Sequence, residues 1–143
     1  MSELIVESDA PEPGPFAFSV DSGDLLALCS FGYAEPLGSQ HPLADFMRRL
    51  RTEGGIDVTP LTTFYDRDTT DPADTVNLEA AWQDPAPLAV VAAAARTALA
   101  ADAANETPLA DFPNLATLLD ELTAMASSAN KHSARIRLSF TLG

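Results

Sequence analysis

Residues 16–33 read Phe-Ala-Phe-Ser-Val-Asp-Ser-Gly-Asp-Leu-Leu-Ala-Leu-Cys-Ser-Phe-Gly-Tyr. Phe16, Phe18 and Val20 alternate with Ala17, Ser19 and Asp21, which is the period of a strand with one buried face. Asp21-Ser22-Gly23-Asp24 is a turn, with the glycine where a positive φ costs least. Leu25 to Tyr33 is apolar on both faces: Leu25, Ala27, Cys29, Phe31 and Tyr33 on one, Leu26 and Leu28 on the other. Such a run suits a central strand covered on both sides, or one paired at a subunit interface. The two runs together predict a β-hairpin.

Working outward, Ser8 to Pro15 forms a stiff arm or loop, because Pro11, Pro13 and Pro15 cannot join a central sheet. Pro42 to Thr52 reads as a helix, with Leu43, Phe46, Met47 and Leu50 at three- and four-residue spacing and Gly54-Gly55 as the stop. Ile56 to Tyr65 reads as a strand in which Pro60 marks an edge or a bulge. Asp71-Pro72 caps a short helix through Glu79 and Trp82, with Val76 to Leu78 as an alternative short strand. Asp84-Pro85 starts a helix running to about Asp102, and Asp111-Phe112-Pro113 starts another. The core face of that last helix is Phe112, Leu115, Leu118, Leu119, Leu122 and Met125. Arg135 to Leu142 alternates cleanly, with Ile136, Leu138, Phe140 and Leu142 inward and Arg135, Arg137, Ser139 and Thr141 outward.

The resulting order is roughly β-β-β-α-β-α-α-α-β. It predicts an α+β fold over one domain, residues 1–143. The expected form is a two-layer sandwich: a mostly antiparallel or mixed sheet of about four to five strands, with about three to four helices mainly on one face. The polar side of the closing strand predicts that the other face is partly wet.

Composition narrows the function. The chain has 143 residues and a formal charge of −13, from 21 acids and 8 basic residues. Glu3, Glu7, Asp9, Glu12, Asp21, Asp24, Glu35 and Asp45 all precede the first basic residue, Arg48, and Lys131 is the sole lysine. Nucleic acids and anionic membrane surfaces call for clustered basic residues, so this charge argues against both. The partner it suits is a basic protein surface. The lone cysteine, Cys29, excludes an internal disulfide and points to a reducing cytoplasm. The N-terminal Met-Ser-Glu-Leu-Ile-Val-Glu has no basic leader region, and the apolar stretch Pro85 to Ala101 carries Arg96 and falls short of a membrane span.

No catalytic motif stands out: there is no GxGxxG, Walker loop, GxSxG or CxxC. Cys29 lies in an apolar run and reads as a small buried hydrophobe rather than a nucleophile. His41 and His132 lack a ligand-pair spacing and read as loop histidines, although His41 at a helix entrance could serve a site. Asp66, Asp68, Asp71 and Asp74 form the densest acidic patch, but they lack calcium-loop spacing and enclose Arg67, so they read as a solvated loop. Arg48, Arg49 and Arg51 share a helix with Asp45 and Glu53 at salt-bridge spacing.

The leading expectation is a non-enzymatic cytoplasmic protein that binds a basic protein partner, in the manner of an inhibitor, immunity-type protein or regulatory subunit. No cofactor and no metal site are expected. A second reading is a small-molecule binder or enzyme with a pocket between sheet and helices, lined by Tyr33, Tyr65, His41 and an arginine. A third is a structural homo-oligomer, such as a homodimer, paired through the C-terminal strand. An anion site would require Arg48 or Arg51 to meet Arg135 and Arg137.

Overall fold

The computed structural model describes residues 2–10, 16–68, 70–101 and 110–141. Most of the proline arm (11–15), Asp102 and Leu142 lie outside the described residues. Among the described residues there are three strands, β1 (Glu3–Ser8), β2 (Phe64–Asp66) and β3 (Ile136–Thr141). The helices among them are α1 (Gly23–Ala34), α2 (Pro42–Thr52), α3 (Thr59–Thr62), α4 (Pro72–Ala80), α5 (Pro85–Ala101) and α6 (Leu115–Lys131). Helix accounts for 60% of the described residues.

The expected hairpin is therefore absent. Leu25 to Tyr33 lies in α1, and Phe16 to Val20 belongs to no strand. The physical reason lies within the quoted stretch. Leu25, Leu28, Cys29 and Gly32 recur at helical spacing and are all buried. Asp24 sits in the first helical turn, where a carboxylate suits the helix dipole. Gly32 belongs to this stripe because α2 comes close. A Cβ there would stand 2.6 Å from Met47 Cε.

The expected strand at Ile56–Tyr65 is divided. Pro60 falls in the first turn of α3, where its missing N–H costs nothing, and only Phe64–Asp66 pairs as strand. The helix expected over Pro42–Thr52 forms with those bounds. Pro42 opens it, His41 Nδ1 accepts from Leu43 N at 3.1 Å, and Arg49 and Arg51 lie in its last turn. Asp71 and Asp84 cap α4 and α5 by accepting from Ala73 N at 3.0 Å and Ala86 N at 3.1 Å.

The sheet has three strands rather than four to five, in the order β1-β3-β2. β3 runs antiparallel to β1 and parallel to β2, so the last strand is the central one. In register, Ile136, Leu138 and Phe140 face Ser8, Val6 and Leu4, while Arg137 and Ser139 face Glu7 and Ile5. Gln83 extends the β2 side by exchanging both backbone hydrogen bonds with Ile136, each at 2.9 Å.

One apolar core joins these elements. Leu4 and Val6 of β1 and Ile136 and Leu138 of β3 meet Leu25 and Leu28 of α1, Phe46 and Met47 of α2, and Leu61 of α3. α5 and α6 form the most extensive helix pair, since Ala92 and Ala95 of α5 are small enough to let Leu118, Leu119 and Leu122 of α6 pack close. α4 stands apart, with no buried residue and on the opposite side of the sheet, so the helices are not confined to one face.

α6 ends in a Schellman turn. Ala134 N donates to Ala129 O at 3.0 Å and Ser133 N to Asn130 O at 3.1 Å, with Ser133 at φ 54. His132, which reads in sequence as a loop histidine, thus stands at the end of this helix. Serine in this left-handed position carries a steric cost that glycine escapes. Replacing Ser133→Gly is expected to raise stability by about 0.5–1 kcal/mol, read as a higher Tm in thermal melting. A Tm unchanged or lowered would show that Ser133 is unstrained.

Candidate functional site

Two charged regions of opposite character stand out, one of them on the outward side of β3. The first is a seam across the sheet. Arg137 lies opposite Glu7 in the β1–β3 register and donates to Glu7 Oε1 from Nε at 3.2 Å and from Nη2 at 3.0 Å. Arg67, just beyond β2, has its backbone N–H on Phe140 O at 2.9 Å, which aims its side chain at the same carboxylate. The Arg67 guanidinium also donates to Ser139 Oγ at 3.1 Å. Arg137 reaches the carbonyl of Leu78 at 3.4 Å and Glu79 at 3.6 Å, which fastens the end of α4. Its guanidinium lies 4.4 Å from the Trp82 ring centroid, and that of Arg135 lies 5.7 Å from it.

The face expected to be wet is therefore covered in its middle. Ser139 is fully buried and Arg137 is only 9% exposed. The seam is a closed ion network: each guanidinium is engaged, and the Ser139 hydroxyl meets a cation rather than a base. Nothing in it resembles an activated nucleophile.

The second region is an acidic segment of the chain, the acidic ridge. Between Asp57 and Asp84 the chain carries Asp57, Asp66, Asp68, Asp71, Asp74, Glu79 and Asp84 against one basic residue, Arg67, which points back to Glu7. Local N–H groups hold several of these acids. Asp57 accepts from Thr59 N at 3.0 Å, Asp66 from Asp68 N at 2.9 Å, and Asp68 from Thr70 N at 3.1 Å. Hydrogen bonding from the Thr59 side chain, then from its backbone N–H, holds the Asp57 carboxyl below the usual carboxylate range. Among the described residues, Asp57, Asp66, Asp68, Asp71, Asp74 and Asp84 make no salt bridge.

The basic residues have the opposite fate. Arg48 pairs with Asp45 at 3.1 Å, Arg51 with Glu35 at 2.8 Å, Arg96 with Asp120 at 3.3 Å and Arg135 with Asp9 at 2.8 Å. Hydrogen bonds from Arg135, side chain first and then backbone, hold the Asp9 carboxyl below its ordinary value. Asp9 therefore stabilises the fold above the ordinary carboxylate range, and that contribution is lost as pH falls through its lowered value.

The structure brings Arg135 and Arg137 together over Trp82, whereas Arg48 and Arg51 stay on α2 with carboxylates of their own. His41 is a helix cap whose ring stacks on Phe31 at 3.7 Å and meets Phe112 edge-on at 5.9 Å. Tyr33 is 63% exposed on α1 and packs edge-on against Phe64, with centroids 6.5 Å apart. Tyr65 is 38% exposed on β2, paired in register with Ser139. His132 lies at the end of α6 with Nδ1 2.8 Å from Ser128 O.

Three surface cavities are lined by other residues. A groove of about 420 Å³ between α2 and α5 has Phe46, Arg49, Leu50, Glu53 and Ala98 in its walls. A neighbouring hollow of about 430 Å³ shares Leu50 and Ala98, and a slot of about 280 Å³ lies between β1 and residues 16–22. Among the described residues, no group of three or more His, Cys, Asp or Glu is arranged to hold a metal ion. No helix among them is long and apolar enough to cross a membrane. Comparison with protein-family models, curated proteins and solved structures finds no match to this chain.

Sequence reading missed Glu7, Trp82 and Ser139 as parts of the seam, and saw Arg67 only as an interruption among aspartates. The Glu3–Glu7 stretch does alternate around Leu4 and Val6, which is the available sign that Glu7 points away from the core.

Glu7→Ala leaves two guanidinium groups without their shared acceptor. A loss of about 2–3 kcal/mol is expected in denaturant unfolding, below the full cost for a wholly buried pair because the site is partly open to water. A loss under about 0.5 kcal/mol would show the seam to be dispensable. Burial pushes the Cys29 thiol up to about 12. The folded protein should therefore resist a thiol-specific reagent at pH 8 and react fully once denatured. Rapid reaction of the native protein would contradict the placement of Cys29 in the core.

Proposed function

We propose that this chain is a non-enzymatic cytoplasmic binding protein whose acidic ridge, Asp57 to Asp84, engages a basic protein partner. The observation that carries this reading is the unequal treatment of the two charge signs. Arg48, Arg51, Arg67, Arg96, Arg135 and Arg137 are paired within the fold, while six carboxylates of the ridge make no salt bridge among the described residues. A one-signed surface steers an oppositely charged partner and repels wrong ones. Its geometry suits docking, because α4 presents Asp74 and Val76 from a helix with no buried residue.

An inhibitor, immunity-type protein or regulatory subunit would use such a surface. The same charge works against nucleic acid and anionic membrane as partners. The buried, unpaired Cys29 accords with a reducing compartment.

The test is binding of a fluorescent lysine- and arginine-rich peptide across a salt series, compared with the D66N/D68N/D71N/D74N variant. Asparagine keeps the capping acceptor of Asp71, so the fold should be unaffected. The expected result is binding that weakens steeply with salt in the wild type, and a roughly ten-fold or greater loss with a flatter salt dependence in the variant. Binding insensitive to both salt and the four substitutions would overturn the proposal.

A further inference from the structure

From the packing of α4 we infer that this helix opens and closes on its own while the rest of the fold stays intact, and that a basic partner on the acidic ridge shuts it. The second clause rests on the reading of the ridge as the partner surface. The first stands without it.

α4 is 9 residues long, and none of them is buried. An isolated helix shorter than about 12–15 residues is marginal in water, and in proteins the burial of an apolar face makes up the difference. α4 lacks that contribution: Val76 is 69% exposed and Leu78 is only half-buried. Among the described elements its main contact is with β2, itself a strand of 3 residues. The Asp71 cap does not alter this, because it accepts from Ala73 N within the same segment and is lost when the segment melts. The last turn carries Glu79 and no basic residue, against the helix dipole. α5 is the contrast, with 17 residues and Leu88, Val91, Ala95 and Leu99 buried along one side.

Both flanks of α4 are held independently of it. On the near side, Arg67 N donates to Phe140 O at 2.9 Å and the Arg67 side chain lies on Glu7. On the far side, Ala81 is fully buried and Gln83 exchanges both backbone hydrogen bonds with Ile136. Melting α4 therefore frees a loop whose ends stay fixed, and the disorder does not spread into the sheet. The seam survives as well. Arg137 gives up the Leu78 carbonyl at 3.4 Å and Glu79 at 3.6 Å, which are its longest contacts. It keeps Glu7 at 3.0 Å and the Trp82 ring. Asp71, Asp74 and Glu79 of the ridge lie on α4 or cap it, so their spacing is set only in the closed helix. A basic chain that spans them binds the closed form and draws the equilibrium towards it.

The experiment is amide hydrogen exchange of the intact protein, followed residue by residue by NMR. Relative to their unfolded rates, the amides of Val76 to Ala80 should exchange at least about 100-fold faster than those of Val91 and Leu119. Urea below the unfolding midpoint should accelerate Val91 and Leu119 steeply and leave α4 nearly flat, because the local opening exposes little surface. At two exposed positions of α4, T75A/N77A should slow its exchange about five- to ten-fold and T75G/N77G should speed it about three-fold. With a lysine- and arginine-rich peptide at about ten times its dissociation constant, α4 exchange should slow about ten-fold. Protection and urea dependence in α4 equal to those of α5 would overturn the independent opening, as would exchange indifferent to both double variants. Salt-dependent peptide binding that leaves α4 exchange unchanged would overturn the coupling. Absence of any salt-dependent binding would bring down the ridge itself, with the opening judged on its own by the peptide-free exchange.

Discussion

Glu7 has to neutralise two guanidinium groups on a sheet of only three strands, and much of the architecture follows from how that is arranged. Its carboxylate meets Arg137 from the neighbouring strand and Arg67 from beyond the far strand, so one acid spans the width of the sheet. A charge as covered as Arg137 costs several kcal/mol to desolvate unless it is paired and fully hydrogen-bonded. Here the carboxylate, the Leu78 carbonyl and the Trp82 ring together meet that requirement. The same contacts hold the end of α4, which has no buried side chain of its own to secure it. Arg137 thus does for α4 what apolar burial does for the other long helices. The acidic ridge is presented from a scaffold clamped by charge.

The parts that were legible in sequence are those with a single dominant period. α2 and α5 each combine a helical stripe with a proline at the start, α6 has a stripe of leucines although it begins at Leu115 rather than at Asp111, and β3 alternates without interruption. α1 was not legible because Leu25 to Tyr33 is apolar on both faces, and such a run satisfies the strand and the helix template at once. Gly32 added to the confusion, since a glycine reads as a break although here it serves a close helix contact with Met47. Pro60 misled in a similar way: it reads as the flaw in a strand and is the first turn of α3. The sheet was overestimated as a consequence, because each of these segments had been assigned to it.

The site was less legible than the fold, for a different reason. Charge counts reveal the excess of acids but not which acids are already answered. Glu7 is separated from its partners by distances in sequence that no local pattern encodes, 60 positions to Arg67 and 130 to Arg137. Only with these pairs known does the stretch from Asp57 to Asp84 emerge as one in which six acids make no salt bridge among the described residues. Tyr33 reads in sequence as one wall of a pocket. The structure instead leaves it exposed on α1, edge-on to Phe64.

The central place of β3 has a kinetic consequence. β1 and β2 do not pair with each other, and each pairs with β3, so no strand pairing of this sheet can form before β3 is available. Closing the long loop between β1 and β3 is entropically costly, whereas α5 and α6 are near neighbours in the chain and can associate early. Until β3 is available, Leu4, Ile5 and Val6 are an apolar segment with no strand partner. The flanking Glu3 and Glu7 then act as gatekeepers against self-association, until Glu7 exchanges that duty for its two arginines.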